Sequence, residues 1–149
     1  MTFTEEEHRE VKGYFPSLVD DTFKITSPRT TDYNCIAWAA GDQENWWWPD
    51  GMNYWPEGLP LDDSIDNFVK AFQGLGYETC ESSEPEDGYE KVVIYAAGNR
   101  TKHMARQLED GLWTSKLGQQ FDIRHGRPSD VDGQHYGTSQ VYLRRPQGK

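Results

Sequence analysis

Two cysteines, Cys35 and Cys80, and four histidines, His8, His103, His125 and His135, are the side chains of this 149-residue sequence best suited to nucleophilic chemistry. A thiol with an ordinary pKa near 8.5 is mostly protonated at neutral pH, and a helix N-terminus together with an imidazole partner lowers that value by several units. Cys35 follows the turn signal Asp32-Tyr33-Asn34 and precedes Ile36-Ala37-Trp38-Ala39-Ala40, a run of helix formers that stops at Gly41. This pattern predicts a short buried helix that starts at the thiol. A small cysteine that merely fills a core is the alternative for such a residue. No histidine is near Cys35 in sequence, so the fold must supply the imidazole. His8 belongs to a charged, solvated helix, and His103 alone falls inside a predicted strand, where its direction is fixed. Cys80 follows a helix stop and is expected to be a packed thiol. Cys35, His103, His125 and His135 are zinc-ligand types, but they lack the close paired spacing of structural zinc sites, so neither metal nor cofactor is expected.

The elements that must position these groups can be read from periodicity. Thr4 and Glu7 stand at capping-box spacing and predict an amphipathic helix ending near Gly13. The stretch from Pro16 to Asn34 reads as extended or looped chain. The segment Glu44 to Pro60 holds four tryptophans, Trp46, Trp47, Trp48 and Trp55, with no helical or alternating period. Indole rings carry too much apolar area for a solvated linker, which predicts an ordered flap lying over the core or lining a cleft. Ile65, Phe68, Val69, Phe72 and Leu75 recur at three- and four-residue steps and predict a packing helix, stopped by Gly74 and Gly76. Four β-prone runs follow, within 89–97, 102–108, 112–118 and 136–145. The middle two form a hairpin around Asp110-Gly111, which places Ser115, Lys116 or Leu117 opposite or diagonal to His103. Ser115 is the residue best placed to accept a hydrogen bond from the second imidazole nitrogen. Lys116, Asp122 and His125 belong to a polar strand end and loop. Helices first and strands last give an α+β class with a mainly antiparallel sheet, in a single domain spanning 1–149.

Composition bounds the partners. A formal charge of -10 and a pI near 4.8 disfavour nucleic acid. No apolar run reaches the roughly 20 residues that span a bilayer. Two cysteines make no disulfide framework, and no leader pattern opens the chain, which is expected to be cytoplasmic.

A cysteine on an early helix, the strand in "GYEKVVIYAA", and then "KHMARQLEDGLWTS" together resemble the papain-like fold as used by NlpC-type cell-wall amidohydrolases. The resemblance runs from about Tyr33 to Gly118. The elements "NCIAWA", "WWWP", "YWP" and "SKLG" also resemble a family of uncharacterised bacterial proteins. The papain-like resemblance implies N-terminal helices, with the cysteine at a helix start, packed on the C-terminal sheet. It further implies Cys35 as nucleophile, His103 as general base and Ser115 in the slot where the family places a third polar residue, usually histidine. Asp122 and His125 are other candidates to orient the base. "NCIA" stands where the family has "DCSG". Tyr33, Asn34, Trp46, Trp47, Trp48 and Trp55 are then candidate binding residues around the thiol, with Lys116 and His125 at the rim. The implied activity is that of a cysteine hydrolase acting on a peptide or other amide. The alternative is a catalytically silent binding domain that meets a protein partner through the tryptophan flap.

Overall fold

The computed structural model describes residues 3–117 and 121–147; Gly118, the last residue of the "SKLG" element, lies outside them. Helix α1, Glu5–Tyr14, is opened by the predicted capping box, in which the Thr4 hydroxyl accepts from the Glu7 amide and the Glu7 carboxylate accepts from the Thr4 amide. Helix α2, Cys35–Ala40, starts at the cysteine and ends at Gly41, whose φ of 86° lies in the left-handed region that glycine adopts without strain. Helix α3, Ile65–Gln73, is capped by Ser64 and buries Phe68, Ala71 and Phe72.

Among the described residues seven strands form one antiparallel sheet: β1 Lys24–Ser27, β2 Glu78–Cys80, β3 Tyr89–Ala97, β4 Arg100–Gln107, β5 Trp113–Lys116, β6 Asp122–His125 and β7 Thr138–Pro146. Their spatial order is β1-β6-β5-β4-β3-β7-β2. The protein is therefore α+β, as the order of sequence elements predicts, with few helices and a sheet larger than four strands. Three of the strands differ from the sequence expectation. β6 lies in the polar stretch read as a loop, where Asp122, Arg124 and His125 break any apolar alternation; it is held as a strand by β1 on one side and β5 on the other. β1 and β2 are three or four residues long, too short to show a period.

Adjacent strand residues point to opposite faces, and the two faces hold separate cores. Val92, Ile94, Met104 and Leu143 pack under α2 and α3, with Cys35, Ile36, Phe68 and Phe72. Val93, Tyr95, Ala105, Trp113 and Ile123 pack under α1, with Val11, Phe15 and Phe23. Strands β4 and β5 pair only beside their turn, at Arg106 with Thr114 and at Gln107 with Trp113. Beyond that the strands part. His103 and Ser115 stay linked across the parting by a side-chain hydrogen bond of 3.0 Å, and α2 packs on both strands.

Candidate active site

Asn34 sets the position of the thiol. Its Oδ1 accepts from the Ala37 amide at 3.1 Å and so caps α2, and the same oxygen accepts from the Trp47 amide at 3.1 Å. Its Nδ2 donates to the Trp47 carbonyl at 2.7 Å. One side chain thus fixes both the helix start and the tryptophan flap. Cys35 is 7% exposed, and the backbone amides of Cys35, Ile36 and Met104 all favour its thiolate. Burial outweighs them, and the thiol is pushed up to about 11, against a smaller downward pull from those amides and the Lys116 ammonium. In this structure Cys35 is a neutral thiol.

The imidazole side is built as a chain. His103 Nε2 lies 3.0 Å from Ser115 Oγ, which lies 2.8 Å from His125 Nε2, and His125 Nδ1 lies 2.9 Å from the Arg127 carbonyl. The proton positions follow from one end. A carbonyl only accepts, so His125 Nδ1 carries hydrogen. Burial lowers His125 to about 4, so it is neutral and its Nε2 is an acceptor. The Ser115 hydroxyl therefore donates to His125 and accepts from His103 Nε2–H. Burial, with His125 adding to it, holds His103 well below 6.5, so its Nδ1 is a bare lone pair. This atom is buried and has no hydrogen-bond partner among the described residues. It is the tautomer that a general base attacking through Nδ1 requires.

Thiol and imidazole are not hydrogen-bonded to each other. Met104 shares the α2-side core with Cys35, and its neighbour His103 pairs with Tyr95 on the α1-side face. Tyr136, from the loop before β7, lies against both groups. It stacks on His103 with ring centroids 3.9 Å apart, and it lines a cavity of about 310 Å³ with Cys35, Asn34, Trp46, Trp48 and Lys102.

Of the candidate binding residues, Asn34, Trp46 and Trp48 are in that cavity and the others are not. Trp47 is buried beneath the flap, tilted against Tyr54 and donating its indole N–H to Asp42 at 2.8 Å. Trp55 packs on Phe68, 4.8 Å away. Tyr33 is buried, stacked on Trp38, and donates to Asp122 Oδ2 at 2.7 Å; its phenol is pushed up to about 12 by burial and then by that carboxylate. Lys116 and His125 are fully buried rather than at a rim. Lys116 donates to the Thr30 carbonyl at 3.0 Å, and burial, more than the opposing charge of Asp122, lowers its pKa. The polar side chains of Ser115, Lys116, Asp122 and His125 are thus interior, because β5 and β6 lie in mid-sheet with both faces covered. His135 packs against Tyr14 and Phe15 near α1, away from the other imidazoles. Among the described residues no group of three or more His, Cys, Asp or Glu side chains is arranged to hold a metal ion, and Cys35 and Cys80 are free thiols. Among those residues no helix is long and apolar enough to cross a membrane.

Tyr136 and Lys102 are not among the sequence candidates. Lys102 stands at the β4 irregularity between the Tyr95–His103 and Ala96–Thr101 pairs, where strand alternation assigns no face. Tyr136 lies in an irregular loop, where the pair Gly133 and Gly137 is the single local signal.

Residues 24–144 match a protein family described as "Domain of unknown function (DUF7689)". No curated protein and no solved structure matches the chain.

Proposed function

Because the chain belongs to the DUF7689 family, whose description assigns no activity, the function rests on the site, and we propose a papain-like cysteine hydrolase that cleaves a peptide or other amide. The observation that carries this is the chain from the Arg127 carbonyl through His125 and Ser115, which leaves His103 Nδ1 unprotonated. In the acyl-transfer step the Cys35 S–H proton passes to His103 Nδ1 as the sulfur forms a bond to the substrate carbonyl carbon. The displaced π pair collects on the oxygen. The Cys35 and Ile36 amides at the start of α2 favour negative charge there. As the tetrahedral adduct collapses, the C–N bond breaks, the imidazolium proton goes to the leaving amine, and Cys35 is left as a thioester that water hydrolyses with His103 again as base.

A neutral thiol and a neutral imidazole fit this scheme as a general-base pair rather than a resting ion pair. Substrate entering beside Trp46 and Trp48 would have to bring the sulfur and Nδ1 together. Substrate and compartment follow from chemistry alone: an acidic surface suits neither nucleic acid nor an anionic ligand, and two free thiols suit a reducing cytoplasm.

Cys35→Ala and His103→Ala should each abolish hydrolysis by purified protein of a panel of fluorogenic peptidyl and aminoacyl amides. Retained turnover in either variant would remove the proposal. A silent binding domain is the second reading, favoured by the raised thiol and by the lack of a hydrogen bond between it and His103. It predicts no turnover in the parent protein and a partner that protects Trp46 and Trp48.

A further inference from the structure

Among the described residues His103 has no carboxylate on either ring nitrogen: Nε2 bonds the uncharged Ser115 and Nδ1 has no partner. An imidazolium formed at this buried position therefore lacks the counter-charge that usually supports one. The groups that face the ring can be named from each element packed on it. Tyr95 on β3 lies 5.1 Å away at 55°. Ser115 on β5 separates it from His125 on β6, and Cys35 lies on the α2 side of the same strand. Carboxylates act on the neighbours of the ring, Asp130 on His125 and both Asp130 and Asp132 on Tyr95. The remaining face is covered by Tyr136, whose ring is 5° from parallel with the imidazole at 3.9 Å.

This stack is held from two sides. Gly133 and Gly137 exchange two backbone hydrogen bonds of 2.8 Å, closing a loop of Gln134, His135 and Tyr136. A Cβ at Gly137 would stand 2.2 Å from the Ala96 carbonyl oxygen, so the loop is seated directly on β3. From the residue that caps the C-terminal end of α1, Phe15 stacks on Tyr136 at 5.2 Å. The tyrosine ring is thus preset against the imidazole, and its negative π face is directed at the ring that becomes positive.

We propose that Tyr136 is a positioning residue that stabilises the His103 imidazolium by stacking, in the place where other triads use a carboxylate. The role rests on the acyl-transfer scheme above and adds to it the means by which His103 can accept a proton in a dry interior. A cation over an aromatic face gains about 0.5–2 kcal/mol, which corresponds to a proton affinity stronger by about 2- to 30-fold.

The test is an NMR titration of His103 in isotopically labelled protein carrying Tyr136→Phe or Tyr136→Leu, beside the pH profile of Cys35 acylation by p-nitrophenyl acetate. Phenylalanine keeps the face, and both readouts should stay near those of the parent. Leucine keeps an apolar cover but removes the face, and proton binding by His103 should weaken about twofold or more. The acylation rate should fall by a similar factor, and Tyr136→Phe should retain it. A simple cover would act in the opposite sense, because admitting water raises proton affinity. An unchanged or raised titration midpoint in Tyr136→Leu overturns the proposal. Should the leucine variant not fold, pentafluorophenylalanine at position 136 preserves the shape and reverses the charge of the face; it must weaken proton binding in the same way. If acylation of Cys35 is indifferent to His103→Ala, the acyl-transfer scheme fails and this role with it. If acylation needs His103 but the titration ignores the Tyr136 variants, only the role of Tyr136 fails.

Discussion

Lowering the pH from 8 to 5 should destabilise this protein through its two buried imidazoles. An unfolded histidine titrates near 6.5, and burial brings His125 down to about 4 and His103 in the same direction. Below pH 6.5 the unfolded chain therefore binds protons that the folded chain does not, so stability is present above 6.5 and is lost as the pH falls toward the folded values. For His125 alone the full loss is about 3 kcal/mol, of which about 2 kcal/mol has gone by pH 5. His103 adds to it with the same sign. Burial acts oppositely on Asp122 and Asp132, whose carboxyls are raised and bind protons in the folded state, so the net loss is smaller than the histidine sum. Against a domain stability of roughly 5–15 kcal/mol, a net loss of this order is readily measured. Urea unfolding at pH 8, 6.5, 5.5 and 5, at constant ionic strength, should give midpoints that fall steadily with little change in m. A midpoint unchanged or higher at pH 5 would refute the neutral, buried state of both rings and, with it, the proton positions deduced for the chain.

Three further outcomes follow from single contacts. Asn34→Ala removes the α2 cap and both links to the Trp47 backbone; it should cost about 2–4 kcal/mol in urea unfolding and raise the iodoacetamide reactivity of Cys35 as the flap loosens. Gly137→Ala drives a Cβ into the Ala96 carbonyl at a residue with φ of 73°; it should destabilise by about 2 kcal/mol or more, read as a lower unfolding midpoint. Ser115→Ala leaves a buried imidazole N–H unpaired, at about 1–3 kcal/mol, and long-range 1H–15N NMR spectra should show His103 losing its single Nε2–H tautomer.

The sequence carried the local features well. The capping box at Thr4 and Glu7, the helix start at Cys35 and the periodic face of α3 depend on residues close in the chain, and these appear where expected. The hydrogen bond between His103 and Ser115 was also within reach, since one hairpin turn at Asp110-Gly111 fixes which residues are neighbours. What could not be read was burial imposed from a distance. Lys116, Asp122 and His125 have the composition of a solvated loop, yet β1 pairs with β6 from nearly 100 positions away in the chain and leaves both β6 and β5 inside the sheet. The same limit hid the division of the sheet into two faces. Parity on β4 assigns Met104 to the Cys35 side and His103 to the other, and this depends on which face each helix covers. Tyr136 carries no periodic signal at all, and its place on His103 comes from a loop closed by two glycines and pressed by Phe15.

The most direct test of the Cys35–His103 pair is the fate of an acyl group offered to the protein. With p-nitrophenyl acetate at pH 7.5, stopped-flow absorbance should show a burst of p-nitrophenol approaching one equivalent, and peptide mass spectrometry should locate the acetyl group on Cys35. His103→Ala should slow that burst by about 100-fold or more, the scale of general-base assistance, and Cys35→Ala should remove it. Acetylation of Cys35 at the same rate without His103, or no acetyl group on Cys35 in the parent protein, would contradict the account.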